Sequence, residues 1–472
     1  ELCIFEINFL KQFMLFNSPV FLFFLLIILG LFYSTSKSIV KKYLLLLASL
    51  FFYAYWDWVW VNLLICFILF NYFIGNQIKS SKNSSLWLKF GIIGNLSVLF
   101  YFKYFQLFTD SIIQFLGVLK LNPIPVHFDI FLPIGISFFT FQSIGYLVDV
   151  SRKEIEPASS LLDFAIFKSF FPQLIAGPIE RAKNILPQLE NFSNPNKKTI
   201  LDGISLFALG LFQKTLIGDA CGKIVEAVFF DVSKYTSFEI FAALFLFAFQ
   251  IYADFLGYSN MARGIGKFFG IELMKNFNQP YFAINIVDFW KKWHISLSQW
   301  LKDYLYIPLG GNKFGSNRTT INILIVMSLG GLWHGANWNF LVWGIYNALL
   351  ILLYKRFPFQ FSLRFVNQLV TFVLVLIGWL FFRVHSFEQF VIILEKCCYF
   401  EFGPHAFRFV KMILGFGTVL LLSDFVEQKY KATFFSVFKA NAFKYGIIAT
   451  IVLFCYIYVI VKKPLPFVYF QF

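Results

Sequence analysis

Two histidines stand out by the residues around them. His334 lies in Leu329–Phe340 (LGGLWHGANWNF), between the apolar runs INILIVMS and LVWGIYNALLILLY. The flanking hydropathy places it at or near membrane depth. Around it, Gly330, Gly331, Gly335 and Ala336 permit a bend or a close helix approach, and Asn337 and Asn339 supply hydrogen-bonding groups. Ionisable groups inside a membrane are costly and mark functional pathways. Histidine is also the side chain best suited to exchange a proton near neutral pH. This environment makes His334 a candidate general base.

His294 lies in Phe289–Gly311 (FWKKWHISLSQWLKDYLYIPLGG). There Trp290, Trp293, Leu297, Trp300, Leu301 and Tyr304 recur at spacings of three and four, with Lys291, Lys292, Gln299 and Lys302 largely opposite. The pattern predicts one amphipathic helix at the membrane interface, ending at Pro308 and the Gly310–Gly311 turn. His294 falls on its apolar side, where a hydrogen-bonded packing histidine is the plainer reading. His127, His385 and His405 lie in less distinctive settings and read as structural. Two further polar islands, Phe171–Arg181 (FPQLIAGPIER) and Gln250–Arg263 (QIYADFLGYSNMAR), interrupt apolar stretches. Their polar groups, Asp254 and Tyr258 among them, read individually as capping or packing.

Other chemistries are absent from the sequence. There is no G-x-S-x-G nucleophile elbow, no G-x-x-x-x-G-K-[ST] phosphate loop and no H-E-x-x-H zinc motif. No histidine has an aspartate five residues downstream. The six cysteines (Cys3, Cys66, Cys221, Cys397, Cys398, Cys455) contain no C-x-x-C and lie mostly in apolar stretches, so neither a disulfide framework nor a metal site is expected.

The elements that must position these residues follow from composition. Of 472 residues, 59% are hydrophobic and 14% charged, and the mean hydropathy is +0.70. Soluble domains run nearer ~45–50% apolar and ~25% charged. A spanning helix needs ~20 mostly apolar residues, so the chain reads as an all-α polytopic membrane protein with about ten or more transmembrane helices. Continuous apolar runs exclude an alternating barrel. Several runs are short or carry a charge such as Asp57, Lys103 or Asp110. Re-entrant and interfacial helices around a cavity are therefore expected, because irregular backbone at membrane depth must line a cavity or be buried. The net charge of +15 fits basic cytoplasmic loops facing anionic lipid rather than nucleic acid. Lys37, Lys41 and Lys42 follow the first span at Pro19–Tyr33, which predicts an extracytoplasmic N-terminus. Residues 1–13 lack signal-peptide features, and Met14 opens the stretch into the first span. The expectation is a non-native extension over 1–13 and a single membrane domain over 14–472, with its motif-bearing core at about 130–383.

The run WHISLSQWLKDYLYIPLGG followed by LWHGANW resembles the membrane-bound O-acyltransferase (MBOAT) family, and most closely its bacterial AlgI/DltB branch of alginate O-acetyltransferases and D-alanyl transferases. LPIGISFFTFQSIGYLVDV (132–150), FPQLIAGPIER, QIYADFLGYSNMA, NFNQPY (276–281), GWLFFR (378–383) and the start MLFNSPVFLFF resemble the family's pattern in its order. The chain length is nearer the alginate type than the shorter D-alanyl type. In QIYADFLGYSN, Ala253, Leu256 and Asn260 depart from the Phe, Ser and Asp that the pattern would have.

The resemblance implies a ring of tilted helices around a central tunnel. It implies His334 as the catalytic histidine and His294 as the second catalytic position, orienting or polarising a reacting group. It also implies no bound cofactor and no metal, an acyl thioester donor such as acetyl-CoA, and an extracytoplasmic SGNH-type acetyltransferase as partner. The expected function is O-acetylation of an extracytoplasmic polysaccharide, an alginate-like exopolysaccharide or cell-wall polymer, from the bacterial cytoplasmic (inner) membrane. Its rivals are D-alanyl transfer and, in a different class, a non-catalytic flippase of lipid-linked sugars. The absence of a clear internal repeat weighs against the flippase.

Overall fold

A computed structural model describes residues 14–121, 130–175, 177–439 and 441–468. The proposed extension over 1–13, and His127, lie outside the described residues. Every regular element among the described residues is helical. The principal helices are α1 (Pro19–Ser34), α2 (Ser38–Ala54), α3 (Trp58–Ser80), α4 (Ser84–Val118), α5 (Ile136–Ser151), α6 (Leu161–Ser169), α7 (Lys197–Phe230) and α8 (Ser237–Phe268). They are followed by α9 (Ile286–Lys292), α10 (Ile295–Leu301), α11 (Gly315–His334), α12 (Trp338–Arg356), α13 (Arg364–Arg383), α14 (Phe387–Cys398), α15 (Ala406–Tyr430) and α16 (Ala442–Lys462).

Seven of these, α3, α4, α7, α8, α13, α15 and α16, are long and apolar enough to cross a membrane. The remaining apolar helices are shorter or more polar, as the irregular runs foreshadowed. Lys103, one of the charges that interrupt the apolar runs, does not end a helix: a π-turn at Phe100–Tyr104 carries α4 past it.

Contacts divide the chain into two compact units. The first comprises Gly30–Ser193 with Gly335–Asn337, and the second Met14–Leu29, Asn194–His334 and Trp338–Phe472. Within the first, Asn71 on α3 and Asn95 on α4 donate to each other through their side-chain amides, at 3.1 and 2.8 Å. Fully buried Lys168 on α6 donates to Ser143 Oγ on α5 at 2.8 Å and to the Phe139 carbonyl. Buried donors in hydrocarbon surroundings need such internal acceptors.

The second unit is organised around α8, the most buried span. Its contact with α7 is backbone to backbone. A Cβ on Gly210 would strike the Gly257 carbonyl, and one on Gly257 would strike the Gly210 carbonyl. Small residues at this spacing let membrane helices approach closely. Where α7 runs through a π-turn at Gln213–Gly218, Lys214 Nζ lies 2.6 Å from Asp219 and 2.7 Å from Asp254, and donates to the Leu465 carbonyl at 3.1 Å. Asp254 also accepts from the Val468 backbone N–H at 2.6 Å, and Asp219 from Asn17 Nδ2 at 3.4 Å. This ion cluster ties both ends of the described chain to α7 and α8. Asp254 therefore belongs to an ion cluster, not to a helix cap.

Candidate active site

The site lies wholly within the second unit. His334 occupies the last turn of α11, packed against α12. A Cβ on Gly331 would strike the Phe340 carbonyl, and one on Gly344 the Met327 carbonyl. The small residues flanking His334 thus set a helix pair so tight that the histidine and Trp343 face each other. Their ring centroids are 5.1 Å apart and perpendicular. Phe382 on α13 packs at 5.5 Å and Trp333 at 5.2 Å. Edge-to-face geometry at these separations is the favoured aromatic arrangement.

His294 corrects the single-helix expectation for 289–311. The segment divides into α9, a break at Trp293–His294, α10, and a π-turn over Lys302–Tyr306. His294 itself sits at φ +42°, in the left-handed region. A non-glycine residue there carries local strain, which the surroundings must hold in place. They do so by hydrogen bonds. The Ile295 N–H donates to the Asn276 carbonyl at 2.8 Å, Ser296 Oγ donates to Asn276 Oδ1 at 2.6 Å, and Asn276 Nδ2 donates to Ser259 Oγ on α8 at 2.9 Å. The Asn278 N–H donates to the Lys292 carbonyl at 3.0 Å. The expected faces survive the break, since Trp293, Leu297, Trp300, Leu301 and Tyr304 are buried while Lys291, Gln299 and Lys302 are exposed.

This kink brings the two sequence-predicted residues together. Their ring centroids lie 6.3 Å apart, and both side chains are nearly completely buried. Phe255 of α8 meets His294 edge-on at 4.7 Å, and Trp293 packs on Trp379 at 4.8 Å. Burial pushes the His294 imidazole down from its ordinary value to about 3, so it is neutral at physiological pH. Asn276, Ser259 and Ser296 are the supporting residues that a residue-by-residue reading misses. NFNQPY was visible as a motif, but its link to His294 crosses from one segment to another and exists only in the folded chain.

His385 and His405 lie elsewhere. His385 Nε2 is 2.9 Å from Arg383 Nη1, and burial with that guanidinium lowers its pKa. His405 precedes α15 and donates its backbone N–H to Glu239. Among the described residues, no group of three or more His, Cys, Asp or Glu could hold a metal ion, and the described cysteines are free.

A cavity of about 280 Å³ opens beside His334. It runs between α11 and α12, lined by Ile323, Val326, Met327 and Gly330 on one side and Trp343, Ile351 and Lys355 on the other. Trp290, Ser298, Leu301, Lys302 and Tyr306 complete the lining. From Trp343 to Lys355 the groove follows α12 for twelve positions, ~18 Å at ~1.5 Å per residue. A buried histidine thus stands at one end of an elongated apolar groove and the exposed Lys355 at the other. Such a groove can accept a long, thin substrate carrying a negative charge at its far end.

Comparison with known proteins places this geometry. The sequence pattern of MBOAT, the membrane-bound O-acyltransferase family, matches residues 53–391. The chain is 39% identical to the probable alginate O-acetylase AlgI of Pseudomonas aeruginosa over 383 residues, covering 79% of this chain and 73% of that protein. It is 36% identical to the peptidoglycan O-acetyltransferase of Helicobacter pylori over 422 residues, covering 81% and 79%. It is also 30% identical to the teichoic acid D-alanyltransferase of Bacillus subtilis over 239 residues, covering 48% and 59%. The family's pattern spans the elements that carry both histidines, so the chain belongs to the membrane-bound O-acyltransferase family and is a multi-pass membrane O-acyltransferase.

Proposed function

We propose that this enzyme acetylates an extracytoplasmic polysaccharide from a cytoplasmic acyl thioester, with His334 as general base. The observation that carries the reading is the position of buried His334 in the lining of the groove between α11 and α12. In the proposed reaction, imidazole takes the proton of an acceptor hydroxyl as its oxygen attacks the thioester carbonyl carbon. The carbon–sulfur bond then breaks, and the leaving thiolate recovers the proton from the imidazolium. Neutral His294 orients or polarises a reacting group beside it. In this reading acetyl-CoA is the donor, with its thioester at His334 and the exposed Lys355 facing its phosphates. The enzyme works in the bacterial inner membrane with its N-terminus outside, and passes acetyl groups to an SGNH-type extracytoplasmic partner.

Two relatives support different polymers. The alginate O-acetylases favour an exopolysaccharide, and the Helicobacter pylori protein favours peptidoglycan, with slightly greater coverage of both chains. Ester-bound acetate should be measured separately in exopolysaccharide and in purified peptidoglycan from cells with and without the gene. Loss from one fraction names the polymer, and loss from neither overturns the polysaccharide reading. A reporter fused at Lys41 should read cytoplasmic; an external reading there would overturn the orientation.

A further inference from the structure

A second cavity, of about 460 Å³, lies away from the histidines, between α7, α15, the turn at Phe434–Val437 and the start of α16. Leu209, Phe212, Phe435 and Ile451 make its walls apolar, while Lys439, Asn441 and Lys444, close together in sequence, also line it. Its size falls within the ~300–1,000 Å³ range of ligand pockets.

Four observations concern charge. Lys444 is 8% exposed, yet among the described residues it has no ion-pair partner, and its Nζ rests only 5.4 Å from the Tyr445 ring centroid. The nearest acidic residues in sequence are engaged otherwise. Asp424 accepts from Tyr252 Oη, and Glu427 accepts from Gln279 Nε2 and the Phe434 N–H. From residue 428 to the C-terminus there is no Asp or Glu, while Lys429, Lys431, Lys439 and Lys444 cluster within that stretch. Lys444 also stands in the first turn of α16, a 21-residue helix whose N-terminus Asn441 caps by accepting from the Lys444 N–H at 2.9 Å. A cation is disfavoured at the positive end of a helix dipole. A bound anion would compensate both the helix terminus and the unpaired Lys444 ammonium. The pocket's outer rim, Leu422, Phe438, Phe443 and Ile447, is exposed and apolar on membrane-spanning helices and their connection, where lipid is the neighbouring solvent.

We propose that this pocket binds one anionic phospholipid, with an acyl chain in the apolar cavity and the headgroup phosphate at Lys439 and Lys444 beside the N-terminus of α16. The site is independent of the acyltransfer reading. Native mass spectrometry of the full chain, purified in detergent, provides the test, titrated with phosphatidylglycerol, phosphatidylcholine or inorganic phosphate. Wild type should retain one phosphatidylglycerol about tenfold more tightly than phosphatidylcholine, and inorganic phosphate should not displace it. The double variant Lys439→Gln with Lys444→Met should lose that preference, whereas Lys444→Arg should keep it. If the double variant fails to fold, Lys439→Glu, an exposed change, should by itself weaken phosphatidylglycerol retention. Lys313→Gln, exposed and outside the pocket, should change nothing. Equal retention of both lipids by wild type, displacement by inorganic phosphate, or unchanged preference when the pocket lysines are altered would overturn the proposal.

Discussion

Two clusters of buried polar groups in the second unit solve the membrane problem differently. Around Lys214, opposite charges lie within 2.7 Å and backbone groups from the chain's C-terminal segment complete the set. Around His334 and His294, the immediate neighbours are rings: Trp333, Trp343, Phe382 and Phe255. In the first place the charges satisfy one another and hold segments together. In the second, the apolar surroundings keep the His294 imidazole neutral, and an open groove leads to His334. The difference teaches that buried polarity alone does not identify an active site. Access and a group able to change protonation do.

The sharpest test of this contrast separates chemistry from stability. His334→Ala should lower acetyl transfer in membranes, normalised to protein level, by ~10²–10⁴-fold, the usual share of general acid–base catalysis, while the protein still folds and inserts. His334→Gln keeps hydrogen-bonding capacity but cannot take the proton, and should fall equally far. Near-normal transfer by either stably expressed variant would remove His334 from the base role.

Lys214→Met should do the reverse. Removing one partner of a buried ion cluster leaves uncompensated carboxylates, a loss of ~3–5 kcal/mol. A fluorescence melting curve of the purified protein should shift to markedly lower temperature, with transfer per folded molecule retained. A stable Lys214→Met protein devoid of transfer would erase the distinction between the two regions and move the cluster into the chemistry.

Smaller effects refine the picture. Ser296→Ala removes the hydroxyl that donates to Asn276 and leaves a buried acceptor unsatisfied, ~1–3 kcal/mol. Transfer should drop less than in His334→Ala. The remaining activity measures how much the strained His294 backbone depends on that bond. His294→Ala should also impair transfer, with a severity between these two variants.

The pH dependence carries a definite sign. The His294 imidazole titrates near 6.5 when unfolded and near 3 when buried, so the folded chain binds fewer protons between those values. Its contribution to stability is full above pH 6.5 and is lost as pH falls from 6.5 towards 3. His294→Asn, which cannot charge, should flatten the melting-temperature decline across that window relative to wild type. An unchanged slope would show that His294 remains solvated. The smallest effects belong to His385→Ala and His405→Ala, which should stay near wild-type transfer because both lie apart from the groove.

Much of this was legible in the sequence, for physical reasons. Hydropathy dictates membrane helices wherever apolar residues run long enough, and α3, α8, α13 and α16 follow from composition alone. His334 was conspicuous because a titratable ring amid tryptophans and glycines at membrane depth is costly. The amphipathic spacing of 289–304 separated most buried apolar side chains from exposed charged ones, because that separation depends on local periodicity, although Trp290 is half-buried and the polar Ser296 fully buried. Tertiary structure decided the rest. The break at His294 replaces the single predicted helix because Asn276 and Ser296 reward a left-handed turn that local propensity disfavours. Asp254 joined Lys214 and Asp219 instead of a helix cap, since their meeting requires α7 and α8 to touch at Gly210 and Gly257. The distance between the two histidines and the groove beside His334 arise from side chains far apart in the chain. Local spacing cannot encode those contacts; only the packing of α8, α9, α11, α12 and α13 sets them.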